Sequence, residues 1–135
     1  MKKHPLYLFL LMSSCQINDK TKASMDGCEK FKQGKFVQTW YEDPNKYKIE
    51  RNDSTQKEFI GKDSGYLNLK IKWTGSCSYE LTFLNQHIIG PDSVSNPSEI
   101  RKLKVQILQI KNDSCFVIGD NGIDRVRGII YADKR

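Results

Sequence analysis

Apolar and polar residues alternate with period two along most of this chain. The clearest stretch is 66–84, where Leu67, Leu69, Ile71 and Trp73 alternate with Asn68, Lys70 and Lys72. After Thr74, Gly75 and Ser76 the alternation resumes at Cys77, Tyr79, Leu81 and Phe83. That is the period of two half-buried strands joined as a hairpin. A three-residue loop sets Trp73 opposite Cys77, Ile71 opposite Tyr79 and Leu69 opposite Leu81, all on one face. Residues 34–40 read as the first strand, and Asp43, Pro44 and Asn45 as a turn. A second hairpin joins 46–51 to 56–61, and a loop over 53–55 predicts Ile49 opposite Phe59. Turn residues at 62–65 lead into the central hairpin, and strands are predicted again at 103–111, 115–118 and 125–131. Asn121 and Gly122 supply the turn before the last of them. Residues 85–101 hold Gly90, Pro91, Asn96, Pro97 and several serines, which predicts a long loop and a candidate rim for any mouth. No stretch of a dozen residues has helical period. The pattern predicts an all-β chain, an antiparallel up-and-down meander of seven to eight strands, with 28–135 as a single domain.

The first residues follow a different pattern. Lys2 and Lys3 precede an apolar run at 6–12, and Ser13 and Ser14 precede Cys15. The run is too short to cross a bilayer, which takes ~20 apolar residues. A basic start, a short apolar core and small residues describe an export leader. Met12, Ser13, Ser14 and Cys15 resemble a bacterial lipobox, with Met12 where that signal commonly has Leu. The resemblance implies a lipoprotein signal peptide at 1–14, cleavage before Cys15, and lipidation of Cys15. It implies a bacterial cell-envelope protein held on a membrane by its lipid anchor. Gln16, in place of an acidic residue, points to the outer membrane within that analogy. An ordinary secretory leader is the alternative. Residues 15–27 are polar and lack periodicity, and are expected to be a tether.

Without the leader, 20 basic residues face 16 acidic ones, a net charge of +4 spread along the chain. There is no basic run or motif of the kind that marks a nucleic-acid binder, so no nucleic-acid partner is expected. Cys28, Cys77 and Cys115 are spaced by 49 and 38 residues, unlike metal-binding pairs, and neither metal nor cofactor is expected. Asp120, Gly122 and Asp124 look faintly like a calcium loop, but the rest of that motif is missing. His87 is the one histidine after the leader, so no nucleophile–base pair can be drawn around it. An enzyme is therefore not expected. The alternative is an envelope enzyme with its site near the 85–101 loop.

Cys28, Phe31, Gly34 and Phe36, followed by the run from Lys70 to Trp73 and by Cys77 to Leu81, resemble a group of small lipoproteins common in Bacteroidota. The resemblance spans most of the chain after the leader. It implies a lipocalin-like barrel or half-barrel, and Cys28 with Cys77 as a disulfide pair. The residues themselves leave Cys77 with Cys115, or three free thiols, as alternatives, with the first pair favoured because Cys28 adjoins the tether. Such a barrel can hold a small ligand. Trp40, Phe59, Trp73, Tyr79 and Phe83 are then candidates to line its cavity, core packing being the plainer reading of aromatics on strands. The functional expectation is non-catalytic binding of a small apolar ligand or a protein partner at the envelope.

Overall fold

The structure is a computed structural model, and it describes residues 27–60, 65–88, 90 and 93–135. The leader, Cys15, most of the tether, residue 61 of a predicted strand, 62–64 of the predicted turn and 89, 91 and 92 of the predicted loop lie outside the described residues. Eight antiparallel strands follow one another: β1 Gly34–Trp40, β2 Asp43–Arg51, β3 Thr55–Phe59, β4 Tyr66–Gly75, β5 Ser78–His87, β6 Leu103–Lys111, β7 Ser114–Asp120 and β8 Arg125–Ala132. Each pairs with the next, and β8 pairs with β1, so the meander closes into a barrel. Closure removes both sheet edges, which a half-barrel would leave open. The seam sets Phe36 opposite Ala132, Gln38 opposite Ile130 and Trp40 opposite Gly128.

Every second side chain faces inward. Phe36, Ile49, Ile71, Tyr79, Ile107, Val117 and Ile130 are buried in one core. The seam holds one close approach. A methyl group on Gly128 would stand 2.4 Å from the Thr39 carbonyl oxygen and 2.7 Å from the Trp40 ring, so only glycine lets that indole lie flat against β8.

Two hairpins differ from their predicted register. In the β4–β5 hairpin, Gly75 pairs with Ser78 around a two-residue turn, and the ladder shifts between Trp73 and Gly75. Trp73 therefore lies opposite Tyr79, Ile71 opposite Leu81 and Leu69 opposite Phe83. The slip is two residues, so the inward set is unchanged. In the β2–β3 hairpin, the Asn52 side chain accepts the backbone N–H groups of Ser54 and Thr55, at 3.1 and 2.9 Å. That tightens the loop by one residue. Ile49 now faces Glu58, and Phe59 faces Lys48. A one-residue slip reverses the faces: Phe59 lies outside against the Tyr66 ring, at 5.8 Å, and Glu58 turns into the barrel. The β1–β2 turn is also shorter than predicted, because Asp43, Pro44 and Asn45 belong to β2.

One end of the barrel is plugged. A 3-10 turn, Gly27–Phe31, lies across it with Cys28 and Phe31 buried. It is fastened to the three hairpin turns at that end. Cys28 forms a disulfide with Cys77 in the β4–β5 turn, with Cα atoms 5.4 Å apart. Just beyond the plug, Gln33 donates to Asp53 in the β2–β3 turn, and Lys30 donates to the Asn112 carbonyl in the β6–β7 turn. Asn112 takes the positive φ, 53°, that this two-residue turn requires.

Candidate functional site

The other end is open, and a cavity of about 580 Å³ runs inward from it. Its walls come from alternate residues of the strands. Leu67 and Leu69 of β4, Leu81 and Phe83 of β5, Leu103 of β6 and Val126 of β8 make the apolar lining. Trp40 of β1 stands among them, and Ile100 and Ile123 come from the loops at the mouth. The volume is within the range of pockets that take one small organic molecule, ~300–1,000 Å³.

The inner end of the cavity is polar. Gln38, Gln56 and Glu58 line it, and Gln38 and Gln56 are 3% and 0% exposed. Beneath them Arg51 is buried, with all three guanidinium nitrogens committed. Nε donates to Gln56 Oε1 at 2.7 Å, Nη1 to the Phe31 carbonyl at 2.9 Å, and Nη2 to the Tyr79 hydroxyl at 2.6 Å. The guanidinium also lies over the Tyr79 ring at 4.5 Å. Arg51 thus ties the plug to the barrel wall. It fixes the orientation of Gln56, because that amide must turn its oxygen down to Arg51 and its nitrogen away.

Two amide atoms at this level, Gln38 Oε1 and Gln56 Nε2, have no partner within the protein. The third such atom among the described residues, Trp73 Nε1, is on a residue that does not line the cavity. Leaving a buried polar group unpaired costs ~1–3 kcal/mol. Among the described residues Glu58 has no hydrogen-bond or ion-pair partner either; it is half-buried and lines the cavity. Burial pushes its carboxyl up to about 7, against the pull of Arg51 downward. Burial also raises the Tyr79 phenol, again opposed by Arg51. Near the mouth the Tyr47 hydroxyl donates to Asp43, and this bond, with the Asn45 backbone N–H, holds the Asp43 carboxyl below its usual range.

The five aromatic candidates separate by height and face. Trp40 and Phe83 line the cavity. Tyr79 is buried in the floor, and Trp73 packs on it with centroids 4.8 Å apart and Lys32 Nζ 5.1 Å above. Phe59 is on the outer wall. His87 is exposed at the end of β5, with its ring 4.7 Å from Tyr66, and it does not line the cavity. Cys115 is a free, buried thiol that burial pushes up to about 11. Among the described residues, no three His, Cys, Asp or Glu side chains converge as metal ligands would.

The sequence reading missed the polar floor. Gln38, Gln56 and Arg51 sit at inward positions of their strands, and polar residues at core positions were a signal in the alternation itself. Glu58 became visible only with the Asn52 turn. The predicted 85–101 loop is partly strand, since β5 runs to His87. Gln86 then bonds Val94 through the nitrogen and the oxygen of its side-chain amide, 2.8 and 2.7 Å, and further on Glu99, Ile100 and Arg101 join the lining at the mouth.

Compared with protein-family models, with curated proteins and with solved structures, the chain matches none of them. Fold and cavity together define an eight-stranded up-and-down barrel with one plugged and one open end, an architecture that lipocalins also use.

Proposed function

We propose that this chain is a bacterial envelope lipoprotein that binds a small, largely apolar ligand inside its barrel and does no chemistry on it. The observation that carries the reading is the cavity: about 580 Å³, apolar along its walls, closed below and open above. The leader pattern ending at Cys15 supports export and a lipid anchor on a membrane, the outer membrane by the Gln16 analogy. The side chains of the floor act as fixed hydrogen-bonding groups, since Arg51 is tied to Gln56, Phe31 and Tyr79 and His87 lies elsewhere.

The test is saturable binding of an environment-sensitive apolar dye, followed by its displacement with lipid extracts of the source cells. Val126→Trp fills the upper cavity at a cost of ~1–3 kcal/mol from overpacking. The parent protein is expected to bind the dye with one site. The variant, folded by circular dichroism, is expected to lose most of that affinity. Equal binding by both proteins, or none by the parent, would overturn the proposal.

A further inference from the structure

The cavity's inner end is built for a head group of a particular kind. Four carboxylates line it from floor to mouth, on Glu42, Asp43, Glu58 and Glu99, against two guanidinium groups on Arg101 and Arg127. The protein as a whole carries +6, so the cavity has the opposite sign to the molecule around it. Fields add inside a low-dielectric enclosure and select the charge that enters. At the bottom, Glu58 and the unpartnered Gln38 Oε1 both accept hydrogen bonds, while Gln56 Nε2, held in place by Arg51, offers one. Arg51 does not line the cavity, and each of its guanidinium nitrogens already donates one hydrogen bond, to Gln56, to the Phe31 carbonyl and to Tyr79.

We propose that the ligand is an amphiphile with an ammonium head and a neighbouring hydroxyl, a long-chain amino alcohol, seated with its nitrogen on Glu58 and Gln38 Oε1 and its oxygen on Gln56 Nε2. The hydrocarbon lies along Leu67, Leu69, Leu81 and Phe83. This rests on the cavity being a ligand site, as proposed above, and adds the chemistry of the head. A carboxylate head seated at the floor would set a second acid beside Glu58, while the two arginines of the lining lie away from it, Arg101 at the mouth and Arg127 over the Tyr41 ring. A plain hydrocarbon would leave both amides unpaired. An ammonium group gives Glu58 a directly bonded ionic partner, where the protein supplies only the pull of Arg51, and so a charge-assisted hydrogen bond inside a largely apolar cavity.

The experiment is calorimetric titration with three ligands of one chain length, 2-aminododecanol, dodecanol and dodecanoic acid, below their micelle concentrations and at mildly alkaline pH. The amino alcohol is expected to bind at least roughly tenfold tighter than the other two. Glu58→Gln, a neutral isostere, is expected to bring it down to the level of dodecanol. Lys57→Gln, one residue away on the outer face, is expected to keep the preference. A tighter acid, an amino alcohol no tighter than dodecanol, or a preference that survives Glu58→Gln would overturn this inference while leaving the cavity as a binding site. Failure of all three ligands and of the apolar dye would overturn both.

Discussion

Glu58 is the residue with the most unusual surroundings. Its folded carboxyl titrates at about 7 because burial disfavours the charged form, against 4.5 for an ordinary glutamate. Between those values the native protein holds a proton that the unfolded chain has released. Stability therefore falls as pH rises from about 4.5 to about 7, and the loss is complete above the folded value. Glu58→Gln removes that proton exchange. Urea titrations are expected to show the variant more stable than the parent by about 1–3 kcal/mol at alkaline pH, and the difference is expected to vanish in acid. A difference independent of pH would mean that Glu58 is not held neutral by burial. Such a carboxyl is the kind of locally unfavourable group that folds retain where something outside the chain compensates it.

At the scale of elements, the plug is the piece that the strands do not hold by themselves. Gly27–Phe31 makes no ladder hydrogen bonds and is kept in place by the disulfide, by Arg51 and by two surface contacts. Closing the loop between Cys28 and Cys77, 49 residues apart, stabilises by about 4 kcal/mol in the chain-entropy model. Cys28→Ser and Cys77→Ser are expected to lower the denaturation midpoint equally, and the double variant no further, because one bond is lost in each case. Unequal losses would show a separate role for one sulfur. Cys115→Ser is expected to leave the disulfide intact, as mass mapping of the oxidised protein would show. The two hairpins explain how far such elements could be read from sequence. Around β4 and β5 a slip of two residues left the faces right although every partner was wrong. Around β2 and β3 a slip of one put Phe59 outside and brought Glu58 in. The difference was a single side chain, Asn52, closing a tighter turn than composition suggested. The apolar lining was therefore legible at Trp40 and Phe83, whereas the inward polar positions Gln38, Gln56 and Arg51 were passed over and Glu58 waited on turn geometry.

At the scale of the molecule, the alternation was enough to predict a meander of seven to eight strands but left barrel and half-barrel open, and the pairing of β8 with β1 closes it. What it could not show was how the ring would be stoppered, because the contacts of the plug join residues far apart in the chain. The anchor is the remaining whole-molecule expectation. Cys15→Ala is expected to shift the protein from the membrane fraction to the soluble one, or to stall its maturation, and to abolish incorporation of labelled fatty acid. Equal labelling of parent and variant would rule out lipidation at that residue.

The plug also gives the molecule a direction. The tether joins the barrel at Gly27, on the stoppered end, so the anchor proposed at Cys15 would be linked to the domain through the end that admits nothing. The mouth, formed by the turn at 121–124 and by Glu99, Ile100 and Arg101, is at the opposite pole. Moored by its base, a barrel of this shape would take the proposed ligand from the aqueous side. It would work as an upturned cup facing the compartment, and a molecule released by the bilayer beneath would have to travel around the wall to reach it.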